Sequence, residues 1–222
     1  MYKYLFWDLD GTLTDSSEGI TKCALLVLEH FGIEGYTANQ LLKFIGPPLR
    51  QSFLNFGISE DRIDEAIAVY RSRYNEVGKF ENKPYDGIKE LLEKLQKEGF
   101  HHFLATSKPK YLADQILEKY ELSQYFDIIC GASEDEKICN KEDVILFLLG
   151  EIEKKQPVSP AIKNWRNQIV MIGDTTYDVT GAKVHDIPCI VVSWGFGNIE
   201  EMKEAGAIGV AHTMQELHSL LL

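Results

Sequence analysis

Residues 2–7 are chiefly apolar and aromatic, and the run breaks at Asp8-Leu9-Asp10-Gly11-Thr12. A short segment with no polar face reads as a strand covered on both sides. Further apolar runs follow at 103–105, 128–130, 169–172 and 189–192, with helical patterns between most of them. Ile88, Leu91, Leu92 and Leu95 repeat at helical spacing, and Gly99 closes that helix. Thr213 with Glu216 forms a capping-box pattern before the closing helix. Continuously apolar strands alternating with helices predict an α/β fold, a doubly wound, mostly parallel (Rossmann-like) sheet covered on both faces.

One segment departs from the alternation. From residue 15 to residue 82 there are helical patterns and no convincing strand. Ile20, Ala24, Val27, Leu28 and Phe31 share a helical face, and residues 63–74 make another. Between them lies the rigid loop Ile45-Gly46-Pro47-Pro48. The expectation is a small all-helical cap domain over residues 15–82, inserted into a core built from 1–14 and 83–222. It would lie over the carboxyl end of the first strand, where open α/β sheets bind ligands. Residues 151–168, polar and proline-containing, have no clear place in this scheme.

Composition narrows the function. The chain has 222 residues, 45% hydrophobic, and a formal charge of -11 with no block rich in Lys or Arg. Binding nucleic acid needs a basic face, so that partner is not expected. No stretch reaches the ~20 apolar residues of a membrane span. The segment before Asp8 is too brief for a signal peptide, so a cytoplasmic protein is expected, as a monomer or homodimer. Cys23, Cys130, Cys139 and Cys189 contain no C-x-x-C pair and are expected to be free thiols. The histidines include no metal-ligand spacing. The tandem His101 and His102 opens a strand whose successive residues face opposite sides.

The chemistry concentrates in two motifs. If the first strand ends near Asp8, then Asp8 and Asp10 sit at the sheet's carboxyl edge, one to attack phosphorus and the other to serve as general acid and base. A plain strand-ending Asp-Gly turn is the bland alternative. Gly173-Asp174-Thr175-Thr176-Tyr177-Asp178 again follows an apolar strand. Carboxylates four residues apart at a strand-to-helix turn suit a hard cation such as Mg²⁺, with a capping Asp174 as the structural alternative. Four aspartates at one sheet edge would be costly without a cation.

On these motifs the chain resembles the haloacid dehalogenase superfamily, in its phosphoglycolate phosphatase-like branch with a helical cap after the first strand. DLDGT at Asp8 and GDTTYD at Asp174 match the first and fourth family motifs. Thr106 in LATSKP matches the second, and Lys141 in NKEDV best matches the third, although Lys137 lies close by. The loop at Ile45 and the stretch Trp194-Gly195-Phe196-Gly197 also look like that branch. The resemblance implies a Mg²⁺-dependent phosphatase of small phosphorylated metabolites, with Asp8 as nucleophile and Asp10 as acid and base. Mg²⁺ would be held by Asp8, the Asp10 carbonyl and Asp174, with Asp178 behind them. Thr106 and Lys141 would hold the phosphoryl oxygens, and Ser107 would join the substrate site. Ionisation states then leave an excess of about -2 at the site, for which Lys108 and the insert's Arg50 are candidate counter-charges. A phosphomutase akin to β-phosphoglucomutase, and 5'-nucleotidase or pyrophosphatase specificity, stay open as alternatives. A dehalogenase would need neither Asp10 nor a metal. A binding module that merely kept the fold is disfavoured by five motif positions with suitable chemistry.

Overall fold

The computed structural model describes residues 2–135, 137–155 and 165–222. The strands are β1 (Tyr4–Trp7), β2 (Thr14–Asp15), β3 (Lys83–Pro84), β4 (His101–Pro109), β5 (Phe126–Ala132), β6 (Ile169–Gly173), β7 (Cys189–Val192) and β8 (Gly209–Ala211). Helices α1 (Ser17–His30), α2 (Ala38–Leu41), α3 (Leu49–Asn55) and α4 (Ile63–Glu76) occupy the insert. Helices α5 (Ile88–Lys97), α6 (Lys110–Lys119), α7 (Lys141–Lys155), α8 (Thr176–Lys183), α9 (Ile199–Ala205) and α10 (Met214–Leu221) follow it.

Six strands form one sheet in the order β5-β4-β1-β6-β7-β8, and every neighbouring pair is parallel. Alternation along β1 shows why a wholly apolar strand is needed. Leu5 and Trp7 face a layer containing Ile88, Leu92, Ile116 and Leu217, from α5, α6 and α10. Tyr4 and Phe6 face the opposite layer with Val144, Leu148, Val179 and Met202, from α7, α8 and α9. Each fully buried aliphatic or aromatic side chain contributes roughly 1.5–3 kcal/mol by leaving water. The doubly wound α/β core is therefore as the apolar runs require. The winding reverses between β1 and β6, and this crevice is where such sheets place their ligands.

Two features escape the periodicity. β8 has only one of its three residues buried, too little to read as an apolar run. β2 and β3 pair antiparallel, Thr14 with Pro84 and Asp15 with Lys83, at the two points where the chain enters and leaves the helical insert. Two residues per strand carry no period. Within the insert, α1 and α4 share a core in which Ile20, Val27 and Leu28 meet Phe44, Phe53, Ile63 and Tyr70.

His101 and His102 do face opposite sides. His101 pairs with Asp127 at 2.7 Å, while the buried His102 accepts a hydrogen bond at Nδ1 from the Trp7 indole at 3.0 Å. That acceptor role keeps the imidazole's own proton on Nε2. Burial lowers the His102 pKa to about 4. The unfolded chain, with an ordinary histidine near 6.5, takes up that proton first, so stability is intact above pH 6.5 and lost as pH falls toward 4. Over this window the loss amounts to about 3 kcal/mol, from the size of the shift. His102→Phe should flatten this dependence even if it lowers stability at pH 7. Urea unfolding at pH 7 and 4.5 checks it, and an unchanged slope in the variant would rule the assignment out. Cys23, Cys130 and Cys189 are buried free thiols, and Cys139 is exposed. Among the described residues no helix is long and apolar enough to cross a membrane.

Candidate active site

Asp8 is the first residue past β1, and its N–H donates to the Ile172 carbonyl of β6 at 3.0 Å. The chain then turns tightly, with Leu13 and Thr14 both donating to the Leu9 carbonyl. Gly11 adopts a positive φ of 83°, and a Cβ there would lie 2.1 Å from an oxygen of Asp174. Conformation and space both demand glycine at that point. Asp174 directly follows β6. Its Oδ1 accepts from the Thr12 hydroxyl at 3.1 Å and its Oδ2 from the Phe196 N–H at 2.8 Å. Trp194 in turn donates from its indole to the Thr12 carbonyl at 3.1 Å. The Trp194–Gly197 stretch, noted in the sequence as resembling the phosphoglycolate phosphatase-like branch, thus braces Asp174.

Asp178 lies in the first turn of α8. Its Oδ2 accepts from the N–H of Asp174 (3.2 Å), the N–H of Thr175 (3.0 Å) and the Thr175 hydroxyl (2.9 Å). The N-cap of this helix is therefore Thr175, not Asp174, with Asp178 as its capping-box partner. Capping leaves Asp178 Oδ1 turned to Lys141 Nζ at 2.7 Å. Lys141, the first residue of α7, also lies 2.8 Å from Asp8 Oδ1 and donates to the Ala105 carbonyl at 2.9 Å. Lys137 is an exposed side chain paired with Asp135 at 2.8 Å. Of the two candidate lysines, only Lys141 reaches the carboxylates.

Burial dominates the electrostatics. It raises the Asp8 pKa to about 6, with Lys141 opposing and Asp178 adding to the rise. Burial and the charges of Asp178 and Asp8 push Asp174 well above the carboxylate range, against the hydrogen bonds from Phe196 and Thr12. Burial disfavours the Lys141 charge as well, but Asp178 and Asp8 outweigh it and hold the amine protonated.

Asp8, Asp174 and Asp178 each bring a carboxylate oxygen within 4.8 Å of the others. Asp8 Oδ1 and Asp178 Oδ1 are buried without an aligned hydrogen-bond donor, although Lys141 is within ion-pair range of both. Three buried carboxylates face one lysine. All the donors are oxygen, which is what a hard divalent cation prefers. The residues present therefore fit such an ion.

Thr106 is near the carboxyl end of β4, buried, and its hydroxyl accepts the Lys108 N–H at 3.3 Å. Thr106, Ser107 and Lys108 line a cleft with Asp8 and Asp10. The insert supplies the facing wall, including Phe44, Pro47, Tyr70, Arg71 and Tyr74. Lys108 Nζ lies 2.9 Å from Asp10 Oδ2, so it joins the site as a counter-charge. Arg50 does not. Its guanidinium pairs with Glu60 at 2.6 Å and Asp64 at 2.7 Å on the insert's surface, and it does not line the cleft. Two acidic partners close by in the chain hold it there, and Arg71 occupies the wall instead.

A model of the haloacid dehalogenase-like hydrolases matches residues 5–192. A 5'-nucleotidase of Pseudomonas aeruginosa is 37% identical, covering 91% of this chain and 87% of its own. The tyrosine-protein kinase PtkA of Mycobacterium tuberculosis is 34% identical, covering 98% of this chain and 72% of its own. The crystal structure of a predicted phosphatase from Clostridium acetobutylicum superposes with a TM-score of 0.89 at 44% identity, over 100% of this chain and 98% of that one.

Proposed function

Because this chain belongs to the haloacid dehalogenase-like hydrolases, we propose that it is a Mg²⁺-dependent phosphatase of small phosphate monoesters, acting through an aspartyl-phosphate on Asp8. The observation that carries this reading is Asp8 itself: a buried carboxylate at the sheet's switch point, held by Lys141 and backed by Asp174 and Asp178. Asp8, Asp174 and the Asp10 carbonyl, with Asp178 behind them, would hold Mg²⁺, which would supply the positive charge that these carboxylates and a phosphoryl group together lack.

The chain's own residues do the rest. The Asp8 carboxylate attacks phosphorus as the bond to the ester oxygen breaks, and Asp10 gives that oxygen its proton. Asp10, now a carboxylate, takes a proton from the water that attacks the aspartyl-phosphate, which restores Asp8 and releases phosphate. Lys141 and Thr106 hold the phosphoryl oxygens, and Ser107 lines the path to them. Residues 15–82 serve as the cap, shedding water from the cleft over the core of 1–14 and 83–222.

The enzyme acts in the cytoplasm on a small phosphorylated metabolite. The name of the Pseudomonas relative puts nucleoside 5'-monophosphates first among substrates to try, and the apolar, aromatic facing wall suits a base. The test is a panel of nucleoside monophosphates, phosphoglycolate, pyrophosphate and 4-nitrophenyl phosphate, each with Mg²⁺ and with excess chelator. Phosphate release should vanish in chelator and return with Mg²⁺. Full activity in chelator, or no release from any ester, would overturn the proposal.

A further inference from the structure

Lys108 makes contacts that phosphate binding alone does not require. Its ammonium lies 2.9 Å from Asp10 Oδ2, with the two side chains only 6% and 15% exposed. The same ammonium donates to the Tyr74 hydroxyl and sits 4.6 Å from the centre of that ring. Tyr74 belongs to α4 of the insert, is buried, and stacks on Tyr70 at 5.3 Å with the rings 17° apart. One cation on β4 therefore touches both the proposed acid and a phenol from across the cleft. We infer that Tyr74 is a positioning residue that, through Lys108, sets Asp10 for proton transfer when the insert is seated on the core. This rests on the function proposed above.

The physical reasons are specific. A buried ammonium left short of acceptors is costly, so Lys108 needs both of its partners to stay in place. The contact to Oδ2 also separates the two Asp10 oxygens. Oδ1 is buried and has no hydrogen-bond partner among the described residues, so it is the oxygen left unclaimed to meet the ester oxygen. The insert is joined to the core through the two-residue strands β2 and β3 and rests on α6, where Leu112 packs into the insert's apolar cluster and Tyr111 donates to Asn75. When α4 lifts away, Tyr74 goes with it, Lys108 loses an acceptor, and the hold on Asp10 slackens. Closing over substrate and readying the acid become one event.

Tyr74→Phe tests this with little change in shape, since the ring, its stacking on Tyr70 and its place beside the ammonium all stay. The discriminating readout is the leaving group. An alkyl phosphate needs its departing oxygen protonated, whereas nitrophenolate leaves with little help. In single-turnover experiments with Mg²⁺, Tyr74→Phe should slow alcohol release from an alkyl phosphate about tenfold, with substrate binding within about twofold, the scale of a partly misplaced acid. Nitrophenol release should stay at the wild-type rate. An equal fall on both substrates, or on neither, would overturn the inference, because a packing defect does not sense the leaving group. A second measurement needs no turnover. Acetic anhydride labelling read by mass spectrometry should modify Lys108 severalfold faster in Tyr74→Phe than in wild type, with exposed Lys137 as the internal reference. If Lys108 is equally protected in both, Tyr74 does not hold it and the inference fails. If the wild-type protein cleaves no ester at all, the proposed function falls, and the labelling still decides whether the contact holds.

Discussion

In Asp10→Asn, an aryl phosphate should release one equivalent of phenol in a burst, after which turnover stops with the phosphoryl group on Asp8. The two chemical steps ask different things of Asp10. Proton donation matters for a basic alkoxide and little for an acidic phenol, so formation of the aspartyl-phosphate survives with the aryl substrate. Water activation is needed in the second step whatever the substrate was, and an amide cannot provide it. Alkyl phosphates should therefore fail at both steps. Intact mass after acid quench should show the added phosphoryl group, and Asp8→Asn in the same background should remove it. A stall with no burst and no phosphoenzyme would mean that Asp10 acts before the covalent step, and its role toward water would lose its support.

Lys141→Met should lower turnover on the order of a hundredfold or more, the scale seen when a preorganised charged group is removed from a site. Methionine preserves the apolar stem, which matters because Gly181 packs so closely on Lys141 that a Cβ there would lie 2.7 Å from the lysine's own Cβ. What disappears is the charge shared by Asp8 and Asp178 at 2.8 and 2.7 Å. Leaving two buried carboxylates without their cation should also destabilise the fold by roughly 3–5 kcal/mol. Urea unfolding and steady-state rates measured on the same preparation separate the two effects. Lys137→Ala should match wild type in both, since that side chain is exposed beside Asp135. A collapse there, with Lys141→Met near normal, would reverse the assignment.

Much of this was legible in the chain because its signals are local. Asp8 and Asp10 follow an apolar strand within five residues, and Asp174 and Asp178 do the same after another. Strand, turn and charge lie in one window, and a parallel sheet puts the ends of its strands along one edge. The α/β class and the place of the two aspartate motifs therefore needed only short-range pattern. Helices α1 and α4 of the insert were equally readable, because each carries its own apolar face, whereas the short α2 and α3 between them bury too few residues to leave a period.

What the chain could not reveal depends on contacts between distant residues. Lys137 and Lys141 are four residues apart and look alike in sequence; only the seating of α7, which begins at Lys141, against β4 and α8 buries Lys141 between Asp8 and Asp178. Arg50 looked available for phosphate until folding placed Glu60 and Asp64 beside it. The ribbon of β2 and β3 joins segments nearly seventy residues apart through two pairs, too short to leave a period. Lys108 and Tyr74 are 34 residues apart, one on a strand of the core and one on a helix of the insert. Residue type and spacing determined which groups could do chemistry. Which of those groups meet was decided by how the helices close on the sheet, because an ion pair needs its two partners within a few ångströms whatever lies between them in the chain.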